Sequence, residues 1–79
     1  MTEMKAFIEF VAKTLVDHPD EVEVSEIEGE KARVFELRCN KEDVGKIIGR
    51  NGRTIKALRT LLVTAAAKHD VRAVLEILD

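Results

Sequence analysis

Two glycines separated by two residues mark the place in this sequence where anion binding is chemically plausible. Gly49 and Gly52 lie between two segments whose apolar residues recur at helical spacing. Glycine allows a tight turn and lets a bulky partner approach the backbone. The first turn of the second helix would present unpaired N–H groups and a partial positive charge. A phosphate there would accept main-chain hydrogen bonds, so the sequence predicts an anion-binding turn made of Gly49, Arg50, Asn51 and Gly52.

Basic side chains are concentrated around this turn. Residues 44–69 contain six Lys and Arg and no Asp or Glu, whereas residues 1–30 contain nine acidic and two basic residues. The net charge of −2 would by itself argue against a nucleic-acid partner, but it averages two opposed regions. We expect Lys46, Arg53 and Lys56 to attract phosphate. The alternative for each of the three, and for Arg59 further along the same helix, is a solvated surface charge.

Two isoleucines flank the turn on its two helices. Ile48 and Ile55 could form an apolar floor on which bases lie while their phosphates contact the turn, and the alternative is ordinary core packing. Phe7, Phe10 and Phe35 lie in other segments, so base stacking on aromatic rings is not expected. These features fit single-stranded RNA and single-stranded DNA equally.

No residue pattern indicates catalysis or a cofactor. Ser25, the sole serine, lies in an acidic segment, and Cys39, the sole cysteine, has no partner for a disulfide, so neither resembles an activated nucleophile. His18 and His69 are far apart, with no Cys or acidic pair at ligand spacing, and a metal site is not expected. A chain of 79 residues needs nearly all its apolar residues for one core. We therefore expect no enzyme, no cofactor and no small-molecule substrate.

No segment has the length and apolar character of a secretory signal or a membrane span. The lone cysteine gives no sign of an oxidising compartment. We therefore expect a cytoplasmic protein without a membrane partner.

The positioning elements follow from apolar periodicity, which predicts one α+β domain over residues 1–79 in the order helix, strand, strand, helix, helix, strand. The first helix should end before the His18-Pro19 pair. Residues 21–28 are predicted as an edge strand that bulges or ends early near Ile27, and residues 32–39 as its hairpin partner. The expected apolar face of the first helix comprises Met4, Phe7, Ile8, Val11 and Leu15.

The second helix should start after Asn40 as N-cap and stop at Gly49. The third should begin near Arg53, followed by a strand over residues 71–78. Because two helices separate the last two strands, the chain can return parallel, giving a mixed three-stranded sheet with three helices on one face. The helices are expected to bury Val44, Ile47, Ile48, Ile55, Leu58, Leu61, Leu62, Ala65 and Ala66, and the open face of the sheet to expose Val34, Val74 and Leu78.

The surroundings of the glycine turn resemble the KH domain family. An apolar-rich helix enters the first glycine, a basic residue lies between the glycines, and an apolar residue follows three positions after the second. The element order is similar to the type II KH fold over essentially the whole chain. The residues that carry the resemblance are Val44, Ile47, Ile48, Gly49, Arg50, Asn51, Gly52 and Ile55.

This resemblance implies a function as well as a fold. In KH domains the loop that matches residues 49–52 clamps the backbone of about four single-stranded nucleotides, and the residues that match Ile48 and Ile55 form the apolar side of the groove. The free-standing bacterial members imply a cytoplasmic RNA chaperone or post-transcriptional regulator. They also imply a link to cell shape and cell division, and pairing with a second KH-containing protein.

A protein-interaction module is the alternative. In it, the face with Val34, Val74 and Leu78 would pair with another copy or another chain, making the protein mainly a homodimer or heterodimer subunit whose nucleic-acid binding is incidental.

Overall fold

A mixed three-stranded sheet, whose strands lie side by side in chain order, carries helices on one face. The computed structural model describes residues 2–78. The predicted element order and the α+β class are confirmed. The elements are α1 (Thr2–Leu15), β1 (Glu23–Glu28), β2 (Ala32–Arg38), α2 (Val44–Ile48), α3 (Arg53–Ala67) and β3 (Arg72–Leu78).

Strands β1 and β2 form an antiparallel hairpin whose register runs without interruption from Glu23 opposite Arg38 to Glu28 opposite Arg33. The expected bulge or early end near Ile27 is therefore wrong. Ile27 keeps the strand's alternation and points away from the helices, where it is 51% exposed and lies opposite Val34. The strand also starts later than predicted, because residues 19–21 form a short 3-10 turn after His18.

Strands β2 and β3 are parallel, as the two-helix crossover predicts. Phe35 and Leu37 of β2 are fully buried and lie opposite Leu75 and Ile77 of β3. Alternation along the strands thus directs one apolar row towards the helices. The buried apolar core consists of Met4, Ile8, Ala12, Val16, Val24, Phe35, Leu37, Ile47, Ile55, Leu58, Leu62, Ala66, Ala73 and Leu75.

Several helix residues that the periodicity assigns to the core are exposed. The buried stripe of α1 follows a four-residue spacing from Met4 through Ile8, while Phe7 and Leu15 lie beside it and are partly in solvent. Leu61 of α3 is 54% exposed. Phe7 and Leu61 both line a shallow apolar groove of about 340 Å³ between α1 and α3, so these two helices do not cover one another's full apolar width.

The open face of the sheet is less exposed than expected. Val34, Val74 and Leu78 are each only partly exposed, because neighbouring strands shield side chains in the same row. Within residues 2–78 no helix has the length and apolar character needed to cross a membrane.

Candidate nucleic-acid interface

The turn between α2 and α3 has a backbone that ordinary residues rarely adopt. Gly49 has φ 78° and ψ 171°, and Gly52 lies in the left-handed region at φ 72° and ψ 16°. Asn51 between them is also left-handed, at φ 56°, a conformation that asparagine tolerates better than most residues. The amide of Gly49 donates to Gly45 O at 2.9 Å and that of Gly52 to Gly49 O at 3.0 Å. The turn is therefore fixed by its own main chain.

The two glycines are required for different reasons. A Cβ on Gly49 would lie 3.0 Å from the backbone nitrogen of Thr54 and closer still to its side chain, so the start of α3 packs directly on Gly49. A Cβ on Gly52 would meet no heavy atom within 4 Å. Only its positive φ demands glycine, and the space beside it is open to a partner.

Helix α3 begins at this turn with donors available. Its N-cap residue is Gly52, which has no side chain to accept hydrogen bonds from the first turn. The amide of Arg53 donates to Arg50 O, while no residue within the described chain supplies a side-chain cap at this end of the helix. Helix N-termini of this kind favour anions, and α3 is 15 residues long.

Three of the predicted basic residues surround the turn with their charges uncompensated. Arg50, Arg53 and Lys56 are all exposed. Among the ion pairs formed by residues 2–78, none involves these three side chains. Their positive charge therefore acts on solvent and on any anion that approaches the loop.

Lys46 is placed differently from the other three. Its Nζ lies 3.2 Å from Oδ2 of Asp17 and 3.6 Å from Oδ1 of Asp43. The hydrogen bond to Asp17 is the main reason that the pKa of Lys46 is raised. Two carboxylates thus offset the charge of Lys46, which makes it the weakest candidate of the basic set for phosphate contact.

Asp43 joins the end of α1 to the start of α2, a link that the sequence analysis missed. Its side chain is fully buried and accepts from the backbone amides of Asp17 at 3.2 Å and His18 at 3.0 Å. The imidazole Nδ1 of His18 lies 2.9 Å from Asp43 Oδ2. The only sequence signal at Asp43 was its place after Asn40, whose side chain caps the intervening 3-10 turn by accepting from Glu42 N.

The pKa values of this pair shift in opposite directions. The hydrogen bond to Asp43 raises the pKa of His18 against the opposing effect of desolvation, and the charges of Asp43, Glu21 and Glu42 add to it. Burial by itself would raise the pKa of Asp43, but the bonds from His18 and from the two amides outweigh it and lower that pKa. Each shift favours the charged form of its group, so the contact stabilises an aspartate beside an imidazolium when His18 is protonated.

The two isoleucines beside the turn have different environments. Ile48 is 37% exposed, so the prediction that α2 buries it is wrong, whereas its neighbour Ile47 is 1% exposed and belongs to the core. Of the five residues of α2, only Ile47 is buried. Ile55 is 6% exposed and packs with the core. Ile48 therefore supplies most of the accessible apolar surface at the turn.

Comparison with known proteins identifies the family of this chain. A profile described as the KH domain of KhpA/KhpB matches residues 5–77. The chain belongs to the KhpA/KhpB family of KH domains. No solved structure matches it.

Curated relatives in the KhpA/KhpB family match nearly the whole chain. A protein named RNA-binding protein KhpA from Chlamydia pneumoniae is 50% identical over 96% of this chain and 97% of its own length. Its namesake from Borreliella burgdorferi is 58% identical over 91% of this chain and 88% of its own length. The one from Aquifex aeolicus is 49% identical over the full length of both chains. The KH resemblance of the sequence is therefore confirmed at family level.

Proposed function

We propose that this KhpA/KhpB-family domain binds single-stranded RNA, with the loop of Gly49, Arg50, Asn51 and Gly52 gripping the phosphate backbone. The observation that carries the proposal is the left-handed glycine turn in front of the uncapped start of α3. The curated relatives of near-complete coverage are named RNA-binding proteins. Main-chain N–H groups of this loop would donate to phosphate oxygens and not to the bases. Binding through the loop would therefore not depend on base identity.

The remaining proposed contacts surround the loop. Arg53 and Lys56 extend the positive surface along the first turn of α3, and Lys46 contributes less because of its carboxylate partners. Ile48 and the edge of Ile55 form the apolar side of the groove on which bases lie. The acidic residues of the first thirty positions repel RNA from the surfaces that they form, and one of them, Asp17, pairs with Lys46 of α2.

Within a bacterial cell we place this activity in the cytoplasm, as an RNA chaperone or post-transcriptional regulator with no reaction of its own. A single site for about four nucleotides binds weakly. Pairing with a second copy or a second KH-containing protein would raise the affinity by joining two sites on one RNA. Roles in cell shape and cell division would follow from the regulated RNAs.

A titration of labelled single-stranded RNA by fluorescence anisotropy tests the proposal. The loop variant Arg50→Asp/Asn51→Asp should abolish binding and leave the melting temperature nearly unchanged, because both side chains are exposed. The variant Lys68→Asp/His69→Asp is the control, since it changes charge by the same amount about 24 Å along α3 from Gly52. Equal affinity of wild type and the loop variant would overturn the proposal, as would equal loss in both variants.

The protein-interaction alternative is favoured by one observation on the sheet. Ile27, Val34 and Val74 form a continuous row across three strands on the face that no helix covers. Sedimentation velocity of wild type and Val74→Asp tests it. Loss of a dimer together with loss of RNA binding would support this alternative, whereas RNA binding that survives in the monomeric variant would exclude it as the main function.

A further inference from the structure

A cluster of four charged side chains lies where the segment after α1 meets the start of α2. Its members are Asp17, His18, Asp43 and Lys46. The fully buried carboxylate of Asp43 is contacted by Nδ1 of His18 at 2.9 Å on Oδ2 and by Nζ of Lys46 at 3.6 Å on Oδ1. One buried anion is therefore shared by two basic side chains from separate parts of the chain.

The two basic side chains respond differently to pH. Lys46 stays charged near neutral pH, because its contacts, chiefly with Asp17, raise its pKa above 10.5. His18 is partly exposed to solvent, and the hydrogen bond to Asp43 raises its pKa above 6.5. A buried carboxylate requires a cation beside it. The imidazolium supplies that cation at low pH, and Lys46 must supply it when His18 is neutral.

Other titratable groups face the cluster from the elements packed around it. They are Asp17 after α1, Glu21 in the 3-10 turn that follows, Cys39 after β2, and Glu42 beside Asp43 before α2. Burial raises the pKa of the Cys39 thiol, so it stays neutral up to about pH 8.5, and the carboxylates are ionised above about pH 5.5. Between these limits His18 is the group of the cluster that changes charge.

Lys46 can reach either the cluster or the glycine turn. It lies three residues before Gly49, about 4.5 Å along the helix axis, and its four-carbon stem is flexible. Its pair with Asp17 at 3.2 Å is largely exposed to solvent, and pairs of that kind are weak. The demand of buried Asp43 for a cation is stronger. Phosphate at the turn and Asp43 therefore compete for the same ammonium group.

We infer that His18 is a pH-sensitive positioning residue: its imidazolium neutralises Asp43 and leaves Lys46 available to RNA phosphate, whereas neutral His18 leaves Lys46 to neutralise Asp43. The inference rests on the proposed RNA binding at the glycine turn and adds regulation by pH to it. Because coupling between two sites is reciprocal, bound RNA must favour the protonated form of His18 to the same extent.

The first experiment measures affinity for decauridine RNA at about pH 5.5 and pH 8.5. The RNA carries no terminal phosphate, because such a group titrates near pH 6. Wild type should bind at least about threefold more tightly at the acidic pH, and its slope of log affinity against log salt should be steeper there by about 0.7, the value for one phosphate contact.

Three variants identify the groups responsible for this difference. His18→Gln and Lys46→Ala should each bind with the same affinity and the same salt slope at both pH values. At the alkaline pH the slope of Lys46→Ala should match that of wild type, because Asp17 and Asp43 hold Lys46 there. His69→Gln is the matched control, since the chain has two histidines, and it should keep the full pH dependence.

A second experiment uses wild type and does not depend on the folding of His18→Gln. The imidazole signals of His18 are followed by NMR through a pH titration, with and without the same RNA. RNA should raise the pKa of His18 by about 0.5 for a threefold difference in affinity. In Lys46→Ala, RNA should leave the pKa of His18 unchanged.

Four outcomes would overturn the inference. They are equal wild-type affinity at both pH values, a pH dependence retained in folded His18→Gln or in Lys46→Ala, a pH dependence lost in His69→Gln, and a His18 pKa that RNA does not change. Each leaves the proposed RNA binding intact. Absence of binding at both pH values would instead contradict the proposed function.

Discussion

Thr54 packs on the face of Gly49 from which a side chain would project, and a Cβ there would lie 2.7 Å from the Cβ of Thr54. This contact joins the end of α2 to the first turn of α3. It fixes the distance between the turn and the uncapped amides, which are the two parts of the proposed phosphate site. The site thus depends on the absence of one methyl group.

Alanine at the two glycines should therefore have unequal effects on stability. Gly49→Ala adds a steric clash with Thr54 to an unfavourable φ and should lower the free energy of unfolding by about 3 kcal/mol. Gly52→Ala adds only the left-handed conformation, at a cost of about 1–2 kcal/mol. Urea denaturation of both variants measures the difference. Equal losses would mean that Thr54 moves aside freely.

Neighbouring isoleucines provide a test that separates packing from binding. Ile47→Asn places an amide in the core and should destabilise the fold by about 4 kcal/mol. Ile48→Asn should cost about 1 kcal/mol, because the side chain is partly in solvent, yet it should weaken RNA binding severalfold. Thermal melts and anisotropy titrations on the same samples distinguish the two effects. Normal RNA affinity in Ile48→Asn would remove Ile48 from the groove.

The two lysines near the loop should differ in the salt dependence of binding. Lys56 is free of ion pairs within the described chain, so Lys56→Ala should reduce the slope of log affinity against log salt by about 0.7 for a single strand. Lys46→Ala should leave that slope nearly unchanged. It should instead lower the melting temperature by about 5 °C, because Asp17 and Asp43 lose a shared cation. The reverse pattern would contradict this assignment.

The His18–Asp43 pair predicts a pH dependence of stability with a definite sign. The pKa of His18 is raised on folding above its ordinary value of 6.5. The stability that protonated His18 adds to the fold is therefore complete below its unfolded pKa, and it is lost as the pH rises through its folded pKa. The melting temperature of wild type should fall as the pH rises above 6.5 and through the folded pKa of His18, and His18→Gln should remove most of that fall. Parallel curves for the two proteins would show that His18 does not contribute.

Asp43 should govern the acidic side of the same profile. The pKa of Asp43 is lowered on folding. The stability that ionised Asp43 adds to the fold is therefore complete above its unfolded pKa, and it is lost as the pH falls through its folded pKa. Thermal melts of Asp43→Asn across the acidic range should show a weaker dependence on pH than those of wild type. If the melting temperature of Asp43→Asn depended on acidic pH as strongly as that of wild type, the link between α1 and α2 would be contradicted.

Local periodicity was sufficient to predict the element order, and the crossover rule was sufficient to predict the parallel pairing of β2 with β3. The glycine turn was also predictable, because Gly49 and Gly52 interrupt a long apolar pattern that nothing else interrupts. These features depend on residues close together in the chain. They are therefore visible before any tertiary contact is known.

The parts that were wrong or missed depend on contacts between distant residues. Leu61 satisfies the helical pattern of α3, but no partner from α1 covers it. His18 and Asp43 are 25 positions apart, and no local pattern indicates that they meet. The bond from Arg59 to the Leu75 carbonyl likewise requires the position of β3 beside α3. Sequence periodicity identifies faces of elements but does not specify which faces meet.

The central claim, that the main chain of the glycine turn holds phosphate, is tested most directly by amide chemical shifts. Nitrogen-15 labelled protein would be titrated with a short single-stranded RNA and followed by two-dimensional NMR. The largest shifts should fall on the amides of residues 49–55, with smaller ones further along α3. Shifts concentrated on β1 and the open face of the sheet, with residues 49–55 unmoved, would contradict the account.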